Sequence, residues 1–83
     1  MIKIQINSIF WKLLFEYECE DNTIAKTAQE AIKSSADLRY ADFCFSNLRS
    51  ADLRSADLRY ANLRYADLRF SNLRSANLRS AKK

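Results

Sequence analysis

The spacing of apolar and polar positions changes twice along the chain. Ile2, Ile4 and Ile6 alternate with Lys3 and Gln5, the pattern of a half-buried strand. Asn7 and Ser8 carry turn chemistry. A second alternation over 12–20 sets Leu13, Phe15, Tyr17 and Cys19 on one side and Glu16, Glu18 and Glu20 on the other. Two such runs across a short connection predict a β-hairpin, with the turn type open because the chain has no Gly. Asp21, Asn22 and Thr23 can cap a helix N-terminus. Ile24, Ala28, Ala31 and Ile32 then fall on one stripe of a helix predicted to run to about Ser34, with Gln29, Glu30 and Lys33 on its wet side.

From Ala36 the period becomes five. Nine units run without a break from 36 to 80, each a small residue, then Asp or Asn, then Leu or Phe, then two variable positions; Ala81 opens a tenth. A helix would rotate successive Leu positions by about 140°, smearing them around all sides. Five residues suit instead a coil that turns a corner at each unit. Positions one and three then point inward as small and large groups, and positions two, four and five point outward. The helix and hairpin have a clear use beside such a coil, since the first turn of a stacked solenoid exposes an apolar end that needs a cover.

These units resemble the pentapeptide-repeat family, whose motif is a small residue, Asp or Asn, Leu and two variable residues. The resemblance covers 36–80, more than half of the chain. It implies a mainly β fold: a right-handed quadrilateral β-helix with four repeats per coil and about two coils, capped by the N-terminal hairpin and short α-helix. The expected organisation is a cap over 1–35 and a repeat β-helix over 36–83 in one compact domain. The inward ladder is then Leu38, Phe43, Leu48, Leu53, Leu58, Leu63, Leu68, Leu73 and Leu78. Residues twenty apart stack, which aligns Arg39 with Arg59 and Arg79, Asp37 with Asp57 and Asn77, and Cys44 with Arg64.

Charge sharpens the outward faces. Residues 1–35 hold four lysines against five acidic residues, net −1, and residues 36–83 hold eight arginines and two lysines against five aspartates, net +5. The fifth positions add aromatics unevenly: Tyr40 and Tyr60 share one face and Phe45 and Tyr65 the next. Interleaved with Arg39, Arg59 and Arg64, they have the composition of an interaction surface, or of coil corners made rigid by stacking. Ile9, Phe10 and Trp11 sit at the hairpin tip, where three large apolar residues either fold back onto the core or form an exposed anchor. The last coil leaves Leu73 and Leu78 at an open edge. By the family resemblance, this end is expected to form a homodimer.

Several chemistries are excluded or disfavoured. With no His and no Gly, Ser–His and Cys–His nucleophiles and Gly-rich phosphate loops are absent. Cys19 and Cys44 are not spaced as a metal knuckle and read as reduced structural thiols. No metal, cofactor or catalytic residue is expected, and no run is long enough to span a membrane. The leading expectation is a non-enzymatic module that binds a protein partner in the cytoplasm. The leader resembles that of small pentapeptide proteins of bacteriophage and prophage, which points to a phage-encoded inhibitor of a bacterial enzyme such as a defence nuclease. A DNA-mimic inhibitor of an enzyme such as gyrase is a second reading. Direct nucleic-acid binding by the Arg ladders is a third.

Overall fold

The structure is a computed structural model covering residues 1–83. Strands β1 (Ile2–Asn7) and β2 (Leu13–Cys19) form an antiparallel hairpin, and helix α1 (Ile24–Lys33) follows. The hairpin is not regular to its tip. Ile6 pairs with Phe15 but Asn7 pairs with Leu13, so Leu14 is an extra residue in β2. This bulge reverses the alternation beyond it. Leu13, expected on the apolar side, is exposed, and Leu14 packs against the core in its place. The turn is built on Ser8, whose amide donates to the Lys12 carbonyl at 2.7 Å and whose Oγ accepts from the Phe10 and Lys12 amides.

α1 starts at Thr23, whose side chain accepts from the Lys26 amide, and ends at Ser34, whose amide donates to the Glu30 carbonyl. The expected stripe faces inward, with Ala28 and Ala31 fully buried. Thr27 is buried beside them for a reason its sequence position does not show. Its hydroxyl donates to Asn22 Oδ1, which also accepts from the Thr23 amide. Asn22 Nδ2 donates to the Ile2 and Tyr17 carbonyls. One buried amide thus ties both strands to the helix with its main donors and acceptor in use, which buried polar groups require.

Beyond α1 the chain coils with a twenty-residue register. Parallel bridges join Asp42 to Asn62, Asn47 to Asp67, Asp52 to Asn72, Asp57 to Asn77 and Asn62 to Lys82. Each bridge is a single rung and not a long strand. The first face carries repeats beginning at 36, 56 and 76, the second those at 41 and 61, the third those at 46 and 66, and the fourth those at 51 and 71. Asp37 and Asp57 do not bridge each other; the first two repeats of the first face are joined from Tyr40, whose amide donates to the Arg59 carbonyl.

Each corner has the same chemistry. The Asp or Asn at position two accepts, through Oδ1, the amide of position four, in all nine units from Asp37 to Asn77. That local bond is the Asx turn for which these two residue types are suited. The carbonyl of position three accepts the amide of the next position one, as from Ala41 to Leu38 at 3.1 Å. Position five adopts positive φ, from Tyr40 at 66° to Ser80 at 60°. Leu38, Phe43, Leu48, Leu53, Leu58 and Leu63 are buried, together with Ala41, Ala51, Ala56 and Ala61.

The two ends differ. On the second face the hairpin supplies the missing rung, with the Asp42 amide donating to the Asn7 carbonyl and the Ile9 amide to the Tyr40 carbonyl, both at 2.8 Å. On the fourth face Gln29 of α1 reaches over so that its Oε1 accepts the Asp52 amide at 2.8 Å. At the other end Leu68, Leu73 and Leu78 are only partly buried.

Candidate interaction surface

The outward positions fall into two kinds of arginine, and the residue two places earlier decides which. After Asp37, Asp52, Asp57 and Asp67, the guanidinium folds back onto the carboxylate in a two-bond fork. In Arg59, Nε donates to Oδ1 of Asp57 at 2.8 Å and Nη2 to Oδ2 at 2.7 Å; Arg39, Arg54 and Arg69 do the same. Bonds from the arginine hold these carboxylates below their usual range, to about 2 for Asp37, and raise the paired arginines. After Asn47, Asn62, Asn72 and Asn77 there is no carboxylate to receive the fork, and Arg49, Arg64, Arg74 and Arg79 make no ion pair. Arg49 lies instead over the Phe70 ring, 5.4 Å from its centroid.

This distinction concentrates the free charge. Residues 36–60 hold four arginines and four aspartates, net zero, while residues 61–83 hold four arginines and two lysines against Asp67 alone, net +5. Arg39 and Arg59 are therefore neutralised, whereas Arg64 is free.

The aromatic positions form columns. Tyr40 and Tyr60 stack with ring centroids 4.8 Å apart and planes 9° from parallel, and Phe45 and Tyr65 stack at 4.8 Å and 11°. The strand-to-strand spacing of a sheet is also about 4.8 Å, so position five places each ring against the one a coil away. Phe10 of the hairpin tip extends the first column, 5.4 Å from Tyr40 and tilted by 48°. The tip does not fold into the core: Phe10 is 67% and Trp11 90% exposed, and Ile9 is also exposed. Trp11 is held outward by a turn in which its φ is 70°. A cleft of about 190 Å3 between tip and first coil is lined by Phe10, Leu14 and Tyr40 with Lys12, Asp37 and Arg39.

Phe10, Trp11, Arg39, Tyr40, Arg59 and Tyr60 are thus gathered on the first face and the adjoining tip, while Phe45, Arg64 and Tyr65 lie on the second face. Leu73 and Leu78 lie at the open edge, half-buried. The family model described as pentapeptide repeats (8 copies) matches the chain over two overlapping ranges, residues 36–69 and 51–82. The chain belongs to the pentapeptide-repeat family. The twenty-residue register and inward Leu positions give this pentapeptide-repeat protein a β-helix-type coil. No curated protein and no solved structure matches it. No helix is long and apolar enough to cross a membrane. Phe70 is exposed as well and lies outside the residues expected from the sequence; the twenty-residue register sets it against Ser50, next to Arg49, which accounts for the Arg49 contact.

Proposed function

We propose that this pentapeptide-repeat protein is a non-enzymatic protein-interaction module that binds through the hairpin tip and first face. The observation that carries this reading is the exposed tip joined to a stacked column: Trp11 is exposed, and its neighbour Phe10 extends the column of Tyr40 and Tyr60. Aromatic side chains held rigid before binding lose little entropy on complex formation and dominate interface energies. Arg39 and Arg59, locked by their own aspartates, present preorganised planar groups beside the rings without net charge. The coil is taken as right-handed and quadrilateral, with about two turns. The narrower role, a phage-encoded inhibitor of a bacterial enzyme such as a defence nuclease, draws on the leader's resemblance to phage proteins.

Affinity capture from bacterial lysate tests this reading when native protein is compared with Trp11→Ala and Arg59→Glu. Both substitutions are expected to lose the same partner, and retention by both rules out this surface. Mimicry of duplex DNA has less support. It requires an acidic flank, and four of the five aspartates in the repeats are already neutralised by neighbouring arginines. Direct nucleic-acid binding is favoured by one observation, the unpaired Arg64, Arg74 and Arg79 near Lys82 and Lys83. Absence of duplex and single-strand binding at low salt ends that reading.

A homodimer through the last coil is supported by the half-exposed Leu73 and Leu78 and by strand-type backbone groups at 65–80 that pair with nothing in residues 1–83. The same segment carries the net positive charge, so its self-association should strengthen as salt is added. Sedimentation at two ionic strengths reads this, and a monomer at both removes the dimer.

A further inference from the structure

The fourth face differs from the other three. Its fifth positions are Ser55 and Ser75, with no ring, and α1 passes over its first coil through Gln29. An open groove of about 540 Å3 lies between helix and coil, lined by Lys33, Arg54, Arg74, Ser55 and Ser75, with Asp52 the only carboxylate. Ile32 is its one apolar residue, so it is no receptacle for an apolar anchor. Small-molecule sites span about 300–1,000 Å3, and this groove is of that size.

The charges are unevenly engaged. Asp52 is occupied by the two-bond fork from Arg54. Lys33 meets Glu30 only at 3.5 Å, with its side chain 76% exposed. Arg74 follows Asn72 and has no carboxylate partner, so its donor fork is unused. A guanidinium fork, an ammonium and two hydroxyls are donors suited to a tetrahedral oxyanion, for which arginine is the preferred bidentate partner.

We propose that this groove binds a small phosphate-bearing anion, with Arg74 as its principal ligand, Lys33 as the second cation and the Ser55 and Ser75 hydroxyls as neutral donors. The Arg54–Asp52 fork forms a wall with no net charge. A Tyr or Phe at 55 or 75, as on the first and second faces, would fill the space. The site lies apart from the aromatic column, so either can fail without the other.

The test uses substitutions that keep the Asx turn. The isotope-labelled chain is titrated with pyrophosphate at constant ionic strength and followed by amide resonances. Saturable shifts are expected at Arg54, Ser55, Arg74 and Ser75. Asn72→Asp gives Arg74 the intramolecular carboxylate that four other repeats already have, and should weaken binding by a factor of about 5, the scale of one exposed ion pair. Asn62→Asp changes net charge equally but acts on Arg64 of the second face, and should leave the affinity unchanged. A nucleoside diphosphate run in parallel distinguishes an organic ester, which would bind more tightly than pyrophosphate, from a free phosphate, which would not. The proposal is overturned if no saturable shift occurs in the millimolar range, or if both substitutions weaken binding equally, since that is the response to diffuse charge alone.

Discussion

The phenol ring of Tyr60 stacks on that of Tyr40 at 4.8 Å, almost parallel, although the two residues are twenty apart in sequence. The contact depends on the coil register and on positive φ at both positions, 66° and 65°. Ser occupies the same position at 50, 55, 75 and 80, so Tyr60→Ser should leave the fold intact. It should cost about 1 kcal/mol, the worth of an aromatic pair beyond its buried area. Denaturant midpoints measure this, and an unchanged midpoint would mean that the stack adds nothing to stability.

Backbone strain gives a prediction of opposite sign. All twelve positive-φ positions are occupied by residues other than Gly. The left-handed conformation costs an L-residue about 1–2 kcal/mol, part of which Gly regains and part of which it loses through a freer unfolded chain. Ser50→Gly, at φ 61°, should therefore stabilise the protein by about 0.5 kcal/mol. Destabilisation in urea unfolding would contradict the assigned turn.

The core should weaken toward the last coil. Leu48 is fully buried and Leu78 only partly. Leu48→Ala should cost about 2–5 kcal/mol. Leu78→Ala should cost much less, because its side chain retains contact with water and leaves no closed cavity. Equal losses would show that the last coil is covered as completely as the first.

Acid should act on the forked aspartates. Arginine bonds lower the pKa of Asp37 from 3.8 to about 2, and they lower Asp52, Asp57 and Asp67 as well. Lowered carboxylates stabilise the fold above their unfolded pKa, and that contribution disappears as pH falls through the folded value. The Asp37 contribution should therefore begin to fade at about pH 5 and be lost as pH falls through about 2, and the other three, lowered as well, should fade in the same direction, Asp67 last. Replacing all four by Asn keeps every Asx turn, because Asn already fills that position at 47, 62, 72 and 77. The replaced protein should show a smaller stability loss across this interval. An unchanged acid profile would mean that the forks do not contribute.

Much of this architecture can be read from residue order. A period of five with Leu or Phe at the third position identifies the inward ladder, and the stripe from Ile24 to Ile32 identifies the covering helix. Other features depend on geometry that no single position reveals. The bulge that exposes Leu13 and turns Leu14 inward arises where Ser8 closes the turn, and a two-residue alternation carries no sign of it. The positive-φ corners are hidden because no Gly marks them. Asp and Asn at position two build the same turn, so their difference becomes visible only when an arginine is seen to reach the carboxylate in one repeat and find none in the next. The groove beside Ser55 and Ser75 requires knowing where α1 crosses the coil.

The interaction surface can be mapped by crosslinking from defined positions. A photoreactive side chain is placed at Trp11 in one protein and at Ser55 of the fourth face in another, and each is irradiated in bacterial lysate. Position 11 should yield a discrete protein adduct that Tyr60→Ala diminishes, and position 55 should not yield it. Adducts of the same protein at equal yield from both positions, or none from position 11, would contradict binding through the hairpin tip and the Tyr40–Tyr60 column.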